Sequence, residues 1–193
     1  MEGKSNMRRY KLYIFDLDGT LFTIPVDWRE VRQELKDLGF NIMDNVPLFK
    51  QLVFYEDQRL FLEKIFETID KYESKALDKS EPKENAIEML NKIKGKIFLV
   101  TMQGMKFCSS LLNKFSISNV FSKVITREFS LQRVKQLSYC IEVSKEKDAL
   151  FVGDKEDDAL ASIALGIDFA PVPNYKGKIM LSNELKSLLD LLN

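Results

Sequence analysis

Short apolar runs alternate with amphipathic stretches along most of the chain. Lys11 to Phe15 (KLYIF) is aromatic-rich and continuously apolar after its first residue, the pattern of a strand buried on both faces. KIFLV at 96–100, KVIT at 123–126, ALFV at 149–152 and DFAPV at 168–172 read the same way. Helical periods fill most of the intervals. Ile87, Leu90 and Ile93 share one face, with Ser80 and Pro82 as the expected start of that helix. Phe107, Leu111 and Phe115 recur every four residues, and Leu131, Val134, Leu137 and Ile141 keep helical spacing. Ala159 to Leu165 predicts a helix ended by Gly166, and Leu181 to Leu192 predicts a final amphipathic one.

Strands that alternate with helices predict an α/β fold, a Rossmann-like parallel sheet with helices on both faces. One interval breaks the alternation. Residues 23–79 contain VDWREVRQELKDLGF and LVFYEDQRLFLEKIFETIDKYESKAL, both strongly charged and helical in period. They predict an all-helical insertion directly after the first strand. Within it Trp28, Val31 and Leu35 fit a packed helix face, and Phe49, Val53, Phe54 and Phe61 read as its interior.

Composition narrows the chemistry. The 193 residues, 45% of them hydrophobic, suffice for one core domain with an insertion. Lys and Arg total 29, as do Asp and Glu, so charge gives no reason to expect nucleic acid or a membrane as partner. No apolar run is long enough to span a bilayer, and the polar N-terminus lacks a secretory signal. Cys108 and Cys140 fall in apolar surroundings and read as buried thiols, in keeping with a cytoplasmic location. Histidine is absent, which removes imidazole chemistry altogether.

Asp16 and Asp18 lie one residue apart at the C-terminal end of the first strand, where parallel sheets form their ligand crevice. Gly19 permits a sharp turn there. Two carboxylates in such a place repel and lose hydration unless a cation offsets them. A second cluster, Asp154, Asp157 and Asp158, follows another strand and Gly153. With oxygen ligands alone, the pair of clusters predicts a Mg²⁺ site.

Asp16-Leu17-Asp18-Gly19-Thr20-Leu21 resembles the first motif of the haloacid dehalogenase-like hydrolase superfamily, in its phosphatase branch. Leu99-Val100-Thr101 resembles the second motif, and GDKEDDALASIALG at 153–166 the fourth. The insertion sits where one class of these enzymes carries a cap. The resemblance implies a core of residues 1–22 and 82–193, a small all-helical cap domain of residues 23–81, and a phosphoglycolate phosphatase-like hydrolase. It also implies roles. Asp16 would be the nucleophile that becomes an aspartyl phosphate, and Asp18 the general acid and base. That role requires the Asp18 pKa to be shifted upward. Mg²⁺ would bind Asp16, the Asp18 backbone carbonyl, Asp154 and Asp158, and Thr101 would bind phosphate.

The family's usual lysine, often followed by proline, is missing from VITREFSLQRVKQL at 124–137. Arg133 is the first candidate to replace it and Arg127 the second; Lys155 could add charge. Lys123 fits less well because it precedes the strand. Gln103 and Gly104 are expected to supply a polar contact and open backbone after Thr101, and Asp157 to favour a helix N-terminus. Trp28, Arg29 and Arg32 are candidates for contacts with the leaving group. The expected substrate is a small-molecule phosphate ester, with phosphoglycolate or a sugar phosphate suggested by the family. A monomer or homodimer is expected. A phosphomutase on the same residues and a non-catalytic binding module are the alternatives.

Overall fold

The computed structural model describes residues 9–173, together with 175 and 177. The expected final helix, Leu181 to Leu192, and most of the polar N-terminal segment lie outside the described residues.

Five parallel strands form the sheet: β1 (Leu12–Phe15), β4 (Lys96–Val100), β5 (Lys123–Ile125), β6 (Ala149–Gly153) and β7 (Asp168–Pro171), in the order β5-β4-β1-β6-β7. Every residue of β1 is buried, as expected for a central parallel strand. Leu12 pairs with Lys96 on one side and Ala149 on the other. Alternation along the strands divides the core in two. Leu12, Ile14, Phe98, Val100 and Phe151 face one layer, and Tyr13, Phe15, Leu99 and Val152 face the other. Fully burying each such side chain contributes about 1.5–3 kcal/mol.

Helix α5 (Met105–Lys114) covers the second layer through Phe107, Cys108 and Leu111. Helices α6 (Arg133–Ser144) and α7 (Glu156–Leu165) cover the first through Leu137, Cys140, Ala159 and Ala161. Gly166 ends α7 as the sequence predicts. The chain builds outward from β1 to β4 and β5 on one side, then crosses to β6 and β7 on the other. The crossover point, where a crevice opens between diverging loops, is therefore the C-terminal end of β1.

Between Phe22–Thr23 (β2) and Glu81–Pro82 (β3), which pair antiparallel as a separate ribbon, the regular structure is helical. It comprises α1 (Trp28–Asp37), α2 (Leu48–Leu52) and α3 (Arg59–Ala76), with short 3-10 turns after α2 and α3. The Asp27 carboxylate caps α1, accepting from the Arg29 and Glu30 amides. Val31 and Leu35 are fully buried, with Trp28 packed half-buried beside them.

Three local expectations need correction. Ser80 and Pro82 do not start a helix. The Ser80 hydroxyl donates back to the Ala76 carbonyl, closing the end of α3, and Pro82 pairs in the ribbon. Helix α4 (Ala86–Lys92) begins only after Asn85. Leu131 is buried but precedes α6, which starts at Arg133. Phe54 and Phe61 are not interior: they are 81% and 54% exposed. Helical period alone does not say which apolar face finds a partner.

Candidate active site

Asp16 ends β1 with its carboxylate buried, and Asp154 and Asp158 approach it from the end of β6 and the first turn of α7. One carboxylate oxygen from each of the three lies within 4.8 Å of the other two. Two glycines make this density possible. Gly19 has φ +86°, and a Cβ there would sit 2.3 Å from Asp154 Oδ2. A Cβ on Gly153 would sit 2.5 Å from Asp158 Oδ2. Neither position can carry a larger side chain without displacing a carboxylate.

Arg133 supplies the balancing charge. From the start of α6 its Nη2 donates to Asp16 Oδ1 at 2.7 Å, and its Nε lies 2.9 Å from Asp158 Oδ1. Its Nη1 donates to Gln136 Oε1 at 2.9 Å. Burial works against the guanidinium charge, but Asp16 and Asp158 overcome it and hold the Arg133 pKa above its ordinary value. Lys155 Nζ lies 3.7 Å from Asp154 Oδ1 and 4.0 Å from Asp16 Oδ2. Burial likewise opposes its charge, while Asp16 and Asp154 raise it. Asp158 is pushed up to about 7 by burial, against the pull of Arg133, and its Oδ2 accepts from the Lys155 amide.

Asp18 is half-buried and accepts from the Ile24 amide at 3.2 Å. Burial raises its pKa, Lys155 opposes that shift, and Asp16 adds to it. The direction is the one the sequence requires of a proton donor.

The donor set suits a hard divalent cation. Three carboxylates converge, and Asp16 Oδ2 is buried with no hydrogen-bond partner among the described residues. A buried carboxylate oxygen without a donor is costly unless a cation meets it.

Thr101 is fully buried at the end of β4; its hydroxyl is bonded to the Gln103 side chain, and the Gln103 backbone amide donates back to Thr101 Oγ1 at 3.1 Å. Gln103 and Met102, rather than Thr101, line the cavity beside Asp16. Gly104 starts α5, and its amide donates to Glu73 Oε2 of α3 at 3.2 Å.

Arg127 takes a different place from Arg133. It is buried between Glu73, at 2.6 Å, and Asp70, and it also donates to the Met102 carbonyl at 3.1 Å. Its guanidinium lies over the Phe66 ring. It thus joins α3 to the loop after β4 and does not pair with Asp16. Lys123 lies over the Tyr139 ring, and Phe129 stacks on the same ring.

A cavity of about 930 Å³ opens from Asp16 and Asp18 toward the helical segment. Trp28 and Arg32 line it; Arg29 is exposed and does not. Arg32 donates to the Met43 and Val46 carbonyls, which fixes the segment after α1. Asp157 forms an ion pair with Lys50 of α2 at 2.7 Å.

Sequence reasoning missed Glu73, Lys50 and Gln136. Gln136 is buried, and its side-chain amide donates to the carbonyls of Thr101, Thr126 and Ser130. It lies three residues after Arg133, so the helical spacing was the available signal. Glu73 and Lys50 gave none: the first is one charge among many on α3, and the second is a lone lysine on a short helix.

The chain belongs to the haloacid dehalogenase-like hydrolases, whose family model matches residues 13–172. No curated protein matches it. Its fold is similar to that of a proposed phosphoglycolate phosphatase from Lactobacillus plantarum (TM-score 0.70, 18% identity, covering 96% of this chain and 99% of that one). A predicted phosphoglycolate phosphatase from Haemophilus somnus is similar too (TM-score 0.69, 20% identity, 97% of this chain and 100% of that one). So is a predicted phosphatase from Clostridium acetobutylicum (TM-score 0.67, 20% identity, 95% and 97%). At these identities the likeness is one of fold. No helix among the described residues is long and apolar enough to cross a membrane.

Proposed function

We propose that the protein is a Mg²⁺-dependent phosphatase that hydrolyses a small-molecule phosphate monoester through an aspartyl phosphate on Asp16. The observation that carries this reading is the buried convergence of Asp16, Asp154 and Asp158 at the end of the central strand, with Arg133 2.7 Å from Asp16.

The placement of these groups supports the roles that the family resemblance implies. Asp16 attacks phosphorus, the bond from phosphorus to the ester oxygen breaks, and the departing alkoxide takes a proton from Asp18. Water then attacks the phosphorus of the aspartyl phosphate and gives a proton to Asp18, and Asp16 is released with inorganic phosphate. Asp16, the Asp18 carbonyl, Asp154 and Asp158 would hold Mg²⁺, which supplies positive charge against repulsion between carboxylate and phosphoryl group. Arg133 holds the Asp16 carboxylate in line and balances its charge. Its planar fork reaches Asp16 and Asp158 together, which a lysine could do only as a point charge. Lys155 adds charge at the same place. Thr101 and Gln103 act as a pair, with Gln103 presenting the polar surface toward the phosphoryl group.

Residues 23–81 serve as the cap. The Arg127 network holds one end of it to the loop after β4, and the exposed Lys50–Asp157 pair joins α2 to α7. The second link is weak enough to open for exchange of substrate and product. A cytoplasmic location and a monomeric or homodimeric state belong to the same proposal.

The test is phosphate release from p-nitrophenyl phosphate, with Mg²⁺ or with EDTA. Release is expected only with metal, and is expected to disappear in Asp16→Asn. Metal-independent release, or an active Asp16→Asn, contradicts the proposal.

A further inference from the structure

The cavity beside Asp16 is walled largely by hydrocarbon. Trp28, Phe49 and Val53 face it from the helical segment, and Leu131, Val134 and Leu160 from the core. Trp28 and Phe49 meet edge to face, with ring centroids 5.6 Å apart. Leu160 is 50% exposed although it lies on an α7 face beside the reacting groups. Exposed apolar surface that is contiguous with a catalytic centre marks where a ligand is received.

The charged residues of the wall point the same way. Arg32 spends its two Nη groups on the Met43 and Val46 carbonyls, at 2.8 and 2.9 Å. Lys50 is paired with Asp157 at 2.7 Å. Arg133 is held by Asp16 and Asp158, and Lys155 faces Asp154 and Asp16. Among the described residues that line the cavity, each cation therefore already has an acceptor, a carboxylate for Lys50, Arg133 and Lys155 and backbone carbonyls for Arg32. A carboxylate on the leaving group would compete with those acceptors or lie against an apolar wall.

We propose that the substrate is a phosphate monoester of a bulky, uncharged, largely hydrocarbon alcohol, whose apolar group occupies this cavity. This rests on the phosphatase reading and departs from the phosphoglycolate or sugar phosphate that the family resemblance suggests. The 930 Å³ volume is far more than a two-carbon acid fills. Contacts with such a wall form equally in the ground and transition states, so the selectivity belongs chiefly to KM.

The experiment compares kcat/KM in Mg²⁺ for ethyl phosphate, 2-phenylethyl phosphate and 2-phosphoglycolate, with p-nitrophenyl phosphate as a general reporter. All three test esters have aliphatic alcohol leaving groups. 2-Phenylethyl phosphate is expected to exceed both ethyl phosphate and 2-phosphoglycolate by tenfold or more, mainly through KM. Leu160→Asn and Phe49→Ala are each expected to shrink the ratio of phenylethyl to ethyl severalfold. Leu160 is half-exposed, so its replacement keeps the fold even where that of Phe49 does not. Preference for 2-phosphoglycolate, or equal rates for the ethyl and phenylethyl esters, overturns the inference and leaves the phosphatase reading standing. Absence of release from every ester, p-nitrophenyl phosphate included, overturns both.

Discussion

Arg133 and Asp16, 117 residues apart in sequence, are joined by a buried 2.7 Å bond from Nη2 to Oδ1. The same guanidinium reaches Asp158 through Nε. One basic residue thus meets both acidic clusters at once, and its place at the start of α6 aims it at the sheet end.

Removing that charge leaves two buried carboxylates uncompensated. Arg133→Ala is expected to destabilise the protein by about 3–5 kcal/mol and to lower kcat by roughly 10²–10³-fold. Arg133→Lys is expected to recover part of each, because it restores the charge without the fork. Urea unfolding with and without Mg²⁺ checks the first effect. The loss should be smaller with the metal, which meets the same carboxylates. An Arg133→Ala variant as stable and active as the wild type would remove Arg133 from the site.

Gly19→Ala is expected to lose activity and about 1–2 kcal/mol of stability from the positive φ alone. The new Cβ would also press on the Asp154 carboxylate. Thermal unfolding, read together with Mg²⁺ titration, separates the two. Backbone strain lowers the melting temperature, and displacement of Asp154 weakens metal binding.

Glu73 and Arg127 are both fully buried and 2.6 Å apart. Glu73→Ala leaves the buried guanidinium with Asp70 as its remaining carboxylate partner and is expected to cost about 3–5 kcal/mol. In a double-mutant cycle with Arg127→Met, the double variant is expected to lose less than the sum of the singles. Strict additivity would show that the pair does not hold α3 to the loop after β4.

Burial pushes the Cys140 thiol up to about 12, and Cys108 is raised well above its ordinary value for the same reason. Both are fully buried, so neither is expected to react with iodoacetamide before unfolding. The sign for stability follows. In the unfolded chain a thiol ionises near 8.5, whereas the folded protein keeps Cys140 protonated to about 12. Stability is therefore lost as pH rises through that interval, and Cys140→Ala should flatten the alkaline limb of the stability profile. An unchanged limb would mean that Cys140 is not buried in solution.

Much of this site is legible in the sequence because its parts are local. Asp16, Asp18 and Gly19 lie in one turn, and Asp154 and Asp158 in another, each announced by a preceding apolar strand. The parallel sheet brings the two turns together without further information. The features that escaped are those that only tertiary contact creates. Glu73 is one acidic residue among many on a charged helix, until Arg127 and the Gly104 amide select it. Phe54 looks like core by period, yet no helix among the described residues covers it. Ser80 and Pro82 carry helix-start chemistry, but Ser80 turns back to Ala76 and Pro82 joins the ribbon. The cavity's apolar wall likewise combines side chains from α1, α2, α6, α7 and the turns beside them, and no single stretch reveals it.

The central claim is a covalent bond between phosphorus and Asp16. It is tested most directly by quenching the enzyme during turnover of p-nitrophenyl phosphate, reducing with borohydride and sequencing the peptides by mass spectrometry. The account predicts homoserine at position 16, appearing only with Mg²⁺ and substrate and absent from Asp16→Asn. Steady phosphate release with residue 16 still aspartate, or with the label on another residue, would contradict it.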